Sequence, residues 1–165
     1  GMILRRLILL RTMALVFVLM APFQATAETL SGRASVIDGD TIEIHGQRVR
    51  LAGIDAPEMS QQCLDAESHH WRCGQRAANQ LADHIGTRTV SCEPEDWDRY
   101  GRMVAICTTD SDLGAWMVQN GWAVAYRRYS DLYAAAEDQA HRAQVGMWSG
   151  SFQNPADWRN LRKAN

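Results

Sequence analysis

The chain lacks both an apolar run long enough to cross a bilayer and any excess of positive charge. Its N-terminal apolar run, Met13 to Phe23, has 11 residues and contains one proline, whereas a transmembrane helix needs about 20. No internal repeat or low-complexity segment follows residue 27. We therefore expect one globular domain in residues 28–165, with no stable membrane insertion. A monomer is the default expectation, because no uncovered apolar stripe stands out.

The first 27 residues have the pattern of a secretory signal peptide. Three arginines accompany the apolar run, and Ala25-Thr26-Ala27 matches the small-x-small sequence that signal peptidase accepts. Gly1 precedes Met2, where no natural start codon would put it, and is interpreted as a cloning scar. The pattern predicts cleavage before Glu28 and an exported protein, periplasmic or secreted. An uncleaved anchor is the alternative.

Residues 28–165 are acidic. The whole chain has 17 Lys and Arg; three of them precede residue 28, so 14 remain against 19 Asp and Glu, a net charge of −5. Proteins that bind duplex DNA without sequence preference are usually basic. Any contact with nucleic acid must therefore be local and assisted by a cation.

Four cysteines lie after the signal segment, and an even count in an exported chain predicts two disulfides. A hairpin centred between Arg99 and Tyr100 would place Cys92 opposite Cys107, within disulfide reach. Cys63 would then pair with Cys73. A zinc site formed by the remaining candidates is the alternative: Cys63, His69, His70 and Cys73.

The order of elements predicts an α+β domain, a five-stranded OB-type β-barrel with about three packed helices. The predicted strands are Ser31 to Ile37, Thr41 to His45, Arg48 to Ile54, Thr87 to Cys92, and Arg102 to Thr108. A polar loop is expected from Met59 to Gly74. The predicted helices are Gln75 to Ile85, Leu113 to Asn120, and a longer one that is capped by Ser130 or Asp131 and ends at about Val145. The tail from Phe152 is expected to be docked.

Two turns carry carboxylates that a barrel can bring together. Asp38 and Asp40 flank Gly39, and Asp55 and Glu58 flank Ala56-Pro57 at the end of the third predicted strand. Clustered carboxylates repel one another and need a cation, and oxygen ligands favour Ca²⁺ or Mg²⁺. Arg50 and Arg102 offer planar guanidinium groups suited to phosphate. Ordinary solvated turns are the alternative.

Three blocks in order resemble the signature of the staphylococcal nuclease family: V-I-D-G-D-T-I (36–42), R-L-A-G-I-D-A-P-E (50–58) and D-R-Y-G-R (98–102). Two later stretches, 113–123 and 135–149, are similar to the family's short helix and last helix. The resemblance implies a nuclease that cleaves DNA and RNA with little sequence preference and leaves 3′-phosphates.

The resemblance also implies residue roles. Asp40, Asp55 and the backbone carbonyl of Ala56 would hold Ca²⁺, with Asp38 behind them. Glu58 would be the general base or orient the attacking water. Arg50 and Arg102 would clamp the phosphate. Tyr126 would line the nucleotide pocket.

The chain departs from the family pattern in three respects. Ala56 stands where the family often has Thr, the loop after Glu58 is not rich in lysine, and residues 28–165 are acidic. The last two favour weaker, salt-sensitive binding and a preference for single strands, on whose bases aromatic rings can stack. Two other functions remain as alternatives: a catalytically silent module that binds nucleic acid or protein, and a role in envelope or polysaccharide biology.

Smaller features have structural interpretations. Core packing is favoured for Trp116, Trp122 and Trp148, and base stacking is open for Trp71 and Trp97. Arg127 and Arg128 are interpreted as part of a solvated face, and a patch that contacts phosphate is the alternative.

Overall fold

The computed structural model describes residues 27–128 and 130–164. The predicted signal peptide therefore lies, except for Ala27, outside the described residues. The strands are β1 (Leu30–Gly32), β2 (Ala34–Asp38), β3 (Thr41–Ile44), β4 (Gln47–Leu51), β5 (Ile54–Asp55), β6 (Cys63–Leu64), β7 (His70–Trp71), β8 (Val90–Trp97), β9 (Met103–Thr108) and β10 (Val124–Ala125). The helices are α1 (Cys73–Ile85), α2 (Leu113–Gln119), α3 (Ala134–Ala143) and α4 (Pro155–Ala164), with a 3-10 turn at Gly146–Ser149.

Six strands form one curled sheet in the order β1-β8-β9-β4-β3-β2. The β4–β9 pair is parallel and the other pairs are antiparallel. The two edge strands, β1 and β2, are separated in the chain only by Arg33. The sheet must therefore curl until its edges approach, which makes it barrel-like. The expected OB-type α+β class is confirmed.

The strand count differs from the predicted five because the first predicted strand, Ser31 to Ile37, is two strands. Its halves pair with β8 and β3 respectively, at opposite edges of the sheet. Two short pairs, β5–β10 and β6–β7, lie outside the main sheet. The β6–β7 pair lies within the segment predicted to be a polar loop, 59–74.

Alternating strand residues and one face of α1 form the core. Ile42, Ile44 and Val49 are fully buried in the barrel, and Leu81 of α1 packs in the same cluster. Each such aliphatic side chain contributes about 1.5–3 kcal/mol by leaving water. The core fixes which ends of the strands meet, and so positions the acidic turns.

The third helix begins at Ala134, three or four residues after the predicted cap. Ser130 Oγ accepts a hydrogen bond from Leu132 N–H in a turn before the helix. Tyr133 is buried and donates to Asp112 Oδ2 over 2.6 Å. Asp112 also caps α2, as predicted, by accepting from Ala115 N–H. Anchoring Tyr133 at the first turn sets where α3 starts.

Both expected disulfides are present. Cys92 lies opposite Cys107 on β8 and β9, with their Cα atoms 4.1 Å apart. Cys63 pairs with Cys73, with a Cα separation of 5.6 Å. Neither thiol of that pair is left for a zinc ion. In the part of the chain that the structure describes, no helix is long and apolar enough to cross a membrane.

Candidate active site

The two acidic turns meet, as their positions in the barrel predict. Asp40 Oδ2 accepts a hydrogen bond of 2.7 Å from the backbone N–H of Ala56. The carbonyl of Asp40 accepts another, of 2.8 Å, from Leu51 N–H. Gly39 permits the approach, because a Cβ atom there would lie 2.7 Å from the Cβ of Ala56. The turn 38–40 and the segment 55–58 therefore form one surface.

Arg50 links the two buried carboxylates of this surface. Its Nη1 lies 3.3 Å from Asp40 Oδ2, and its Nη2 lies 3.5 Å from Asp55 Oδ1. Asp40 and Asp55 are 7% and 1% exposed. Carboxylates this buried need a compensating cation. Arg50 reaches both because it lies opposite Thr41, the neighbour of Asp40, in the β3–β4 pair.

Asp38 lies beside this pair. Its Oδ1 accepts a hydrogen bond of 3.0 Å from the backbone N–H of Asp40. Burial, and after it the charge of Asp40, raise the pKa of Asp38 to about 7. A raised pKa favours the protonated form, so Asp38 places less negative charge beside Asp40 than an ordinary aspartate would.

Glu58 is fixed through its backbone while its side chain remains about one-third exposed. Its N–H donates to Gln61 Oε1 over 3.2 Å. Its carbonyl packs against the start of α1, where a Cβ on Gly74 would lie 1.7 Å from the oxygen. The side chain is 35% exposed. The arrangement gives Glu58 access to solvent at a fixed position.

Arg102 reaches the site from the hairpin after β8. Its Nε donates to Asp98 Oδ2 over 2.6 Å, and its Nη1 lies 3.5 Å from Thr41 Oγ1. Burial raises the pKa of Asp98, but hydrogen bonds from Arg102 and from Tyr100 N–H lower it by more. The pKa of Asp98 therefore lies below its usual value. Asp98 thus stays ionised and orients Arg102 toward Thr41, the neighbour of Asp40 in the chain.

Arg159, on α4, is a site residue that the sequence reasoning missed. Its Nη1 and Nη2 each lie 2.9 Å from an oxygen of Asp55, and Nη1 also lies 2.9 Å from Glu58 Oε1. Hydrogen bonds to Asp55 raise the pKa of Arg159 by more than burial lowers it. It lies 104 residues from Asp55 in a polar tail, where no local signal marks it.

A cleft of about 700 Å³ opens beside Asp55. Tyr126, which the resemblance assigns to the nucleotide pocket, lines this cleft with His141, Trp148 and Phe152. Trp148 packs edge-on against Phe152, with ring centroids 4.8 Å apart. Arg127 and Arg128 also line the cleft, and Arg127 forms ion pairs with Glu137 and Asp138 of α3.

Most of the other tryptophans pack inward. Trp116 and Trp122 pack against the core. Trp71 packs edge-on against Trp122, with centroids 6.3 Å apart, so its ring is engaged by protein. Trp97 is 55% exposed on β8 and remains the better candidate for stacking on a base.

The donor set of the acidic surface suits a hard divalent cation. Asp40, Asp55 and the Ala56 carbonyl offer only oxygen atoms, the ligands that Ca²⁺ prefers. Two guanidinium groups, from Arg50 and Arg159, lie against these carboxylates, so the surface accepts positive charge in this structure.

A different group has the tightest ligand spacing. Among the described residues, Asp65, Glu67 and His69 form the group of three whose ligand atoms all lie within 4.8 Å of one another. Asp65 Oδ1 accepts hydrogen bonds from the backbone N–H groups of Glu67 and His69. Local turn geometry therefore accounts for this second group.

Comparison with known proteins decides the family. Residues 48–150 match the family model described as staphylococcal nuclease homologue. The chain belongs to the staphylococcal nuclease family. This range contains Arg50, Asp55, Glu58, Arg102 and Tyr126; Asp38, Asp40 and Arg159 lie outside it.

Two of three relatives similar to this chain are named as nucleases, and the third is named as a biosynthesis protein. The micrococcal nuclease of Shigella flexneri is 34% identical over 173 residues, covering 93% of this chain and 94% of that protein. An uncharacterized endonuclease of Haemophilus influenzae is 30% identical, covering 97% of this chain and 89% of that one. The succinoglycan biosynthesis protein ExoI of Rhizobium meliloti is 42% identical over 136 residues, covering 79% and 70%.

Proposed function

We propose that this member of the nuclease family is an exported, Ca²⁺-dependent endonuclease that hydrolyses phosphodiester bonds of DNA or RNA with little sequence preference. The observation that carries the proposal is the meeting of the two acidic turns, through the 2.7 Å hydrogen bond from Ala56 N–H to Asp40. That contact brings Asp40, Asp55, Glu58 and Arg50 onto one surface.

Asp40, Asp55 and the Ala56 carbonyl would hold Ca²⁺, with Asp38 behind them. The ion supplies positive charge that neutralises the phosphate. Ala56 in place of Thr removes a hydroxyl but leaves the backbone carbonyl, so the three protein groups that the resemblance implies as ligands are all present.

Arg50 and Arg102 grip non-bridging phosphate oxygens and stabilise the charge that develops on them. Arg102 arrives oriented, because Asp98 holds its Nε at 2.6 Å. Glu58 accepts a proton from a water whose oxygen forms a bond to phosphorus while the P–O5′ bond breaks, and the leaving O5′ oxygen takes a proton from solvent. The products are a 3′-phosphate and a 5′-hydroxyl.

Single-stranded substrate suits this surface best. The acidic net charge of residues 28–165 offers little attraction to the duplex backbone. Tyr126 and the exposed Trp97 offer rings on which unpaired bases can stack.

The deciding experiment incubates the purified protein with heat-denatured DNA, with Ca²⁺ and with excess chelator. We expect cleavage that disappears in chelator and in Asp40→Ala. Asp83→Ala, which removes an exposed carboxylate on α1, is the matched control and should cleave like wild type. Absence of cleavage with every divalent ion tested, from a protein shown to be folded, would instead indicate a catalytically silent binding module.

The 42% identity to a succinoglycan biosynthesis protein favours a second candidate, a function in polysaccharide biology. Size-exclusion chromatography of an acidic polysaccharide after incubation tests it. Shortening that depends on Asp40 would support this candidate, whereas an unchanged profile alongside DNA cleavage would exclude depolymerisation.

A further inference from the structure

Arg159 occupies the position that a bound cation would take at the acidic surface. Its two terminal nitrogens cover both oxygens of Asp55, each at 2.9 Å, and Nη1 also binds Glu58 at 2.9 Å. This paired geometry is the strongest that a guanidinium forms with a carboxylate. One side chain thus engages an expected metal ligand and the expected base together.

The helix that carries Arg159 is held lightly. Pro155 is the buried residue of α4, and the other nine described positions are partly or fully exposed. Leu161 is 57% exposed. Few apolar contacts oppose a departure of α4 from the surface, and such elements open at low free-energy cost.

The segment before α4 is anchored to the rest of the domain. Buried Gln61 donates from Nε2 to the carbonyl of Gln153 over 2.7 Å. Ser151 and Leu64 exchange two backbone hydrogen bonds, of 2.8 and 3.0 Å. Asn154 caps α4 by accepting hydrogen bonds from Ala156 N–H and Trp158 N–H. A departure of α4 would therefore turn about the link between Gln153 and Asn154.

We propose that α4 is an autoinhibitory latch, in which Arg159 competes with the metal ion for Asp55 and withholds Glu58 from the attacking water. This proposal rests on the proposed nuclease function. A guanidinium on both oxygens of Asp55 blocks a second cation by occupancy and by like charge. The ion pair with Arg159 makes the Glu58 carboxylate a weaker acceptor for a proton from water. Metal binding and the release of α4 are therefore coupled, so that each favours the other.

Isothermal titration of Ca²⁺ into wild type, Arg159→Gln and Lys163→Gln tests the competition. Lys163 lies one helical turn beyond Arg159, is exposed, and carries the same charge. A latch closed about nine-tenths of the time weakens apparent affinity about tenfold. We expect Arg159→Gln to bind Ca²⁺ about tenfold more tightly, and Lys163→Gln to stay within about twofold of wild type.

Arg159→Lys provides a second variant that keeps the charge at this position. A lysine cannot grip both oxygens of Asp55, so its Ca²⁺ affinity should fall between those of wild type and Arg159→Gln. Unchanged or weaker Ca²⁺ binding in Arg159→Gln, with wild-type cleavage intact, would overturn the latch and leave the nuclease standing. Absence of Ca²⁺ binding in all the proteins would overturn both.

Kinetic measurements distinguish a latch role for Arg159 from a role as a third arginine that binds the phosphate. Arg159→Gln should keep the wild-type kcat at saturating Ca²⁺ and cleave faster than wild type when Ca²⁺ is limiting. A kcat reduced tenfold or more, with unchanged Ca²⁺ affinity, would assign Arg159 to the substrate and overturn the proposal.

Hydrogen exchange tests the reciprocal effect in the unaltered protein, because coupled binding equilibria act in both directions. The amides of α4 should exchange faster when Ca²⁺ saturates the protein, while those of α1 should not. Equal or slower exchange in α4 would overturn the latch without reference to any variant.

Discussion

Glu58 has to satisfy two requirements: a fixed backbone and a carboxylate open to water. Gln61 and the start of α1 hold the backbone, and the side chain is 35% exposed. A general base typically contributes about 10²–10⁴-fold in rate. Glu58→Gln removes the proton acceptor while keeping the shape of the side chain.

We expect Glu58→Gln to cleave denatured DNA about 10²–10⁴-fold more slowly than wild type, with an unchanged fold. Initial rates and circular dichroism measure the two effects. Glu93→Gln, the same change at an exposed position on β8, should leave the rate unaltered. A Glu58→Gln rate near that of wild type would remove Glu58 from the chemistry.

The sequence predicts those site residues that lie close together in the chain or in turns that the barrel joins. Asp38 and Asp40 share one turn, Arg50 lies five residues before Asp55, and the barrel joins the two turns. Arg159 is different, because its partner Asp55 is 104 residues away and only the packing of the tail connects them. The helix that carries Arg159 is polar, so the sequence has no apolar periodicity there that would predict a helix.

Among the elements, α1 supports the site most directly. Its second residue, Gly74, packs against the Glu58 carbonyl so closely that a Cβ would lie 1.7 Å from the oxygen. That neighbour is backbone and cannot rotate away. A larger residue at position 74 must displace either the helix or the loop that carries Glu58.

We expect Gly74→Ala to cost about 1–3 kcal/mol of stability, as overpacking does, and to lower cleavage because Glu58 moves. Thermal melting and initial rates measure the two effects. Arg76→Ala, on the exposed side of the same helix, is the control and should change neither by much. A fully active, fully stable Gly74→Ala would contradict the packing described for this loop.

The two disulfides should differ in their effects because they lie in different elements. Cys92–Cys107 joins β8 to β9, whereas Cys63–Cys73 ends where α1 begins. Each disulfide can be removed by replacing both of its cysteines with alanine. Loss of the first, which spans 15 residues, should cost about 3 kcal/mol.

We expect the Cys92→Ala/Cys107→Ala protein to melt at a lower temperature yet cleave normally where it is folded. The Cys63→Ala/Cys73→Ala protein should lose stability and activity together, since α1 and the Glu58 loop lose their link. Melting curves and rates below both transitions decide this. Equal activity in the two proteins would mean that the second disulfide does not position the site.

For the whole molecule, net charge sets how substrate is held. Residues 28–165 carry 14 cations against 19 acids, so Arg50 and Arg102 must supply most of the attraction to phosphate locally. Affinity for a single strand changes with salt by a logarithmic slope of about −0.7 for each phosphate neutralised. Two contacts therefore predict a slope of about −1.4.

The inactive Glu58→Gln protein allows this slope to be measured by fluorescence anisotropy with a labelled single-stranded oligonucleotide in Ca²⁺. Replacing Arg102 by Gln in that protein should reduce the slope to about −0.7, because one phosphate contact is removed. Replacing Arg127, which already pairs with Glu137 and Asp138, should leave it unchanged. A slope of about −4 or steeper would mean that a broad basic surface holds the strand, and that local contact through two arginines is the wrong account of binding.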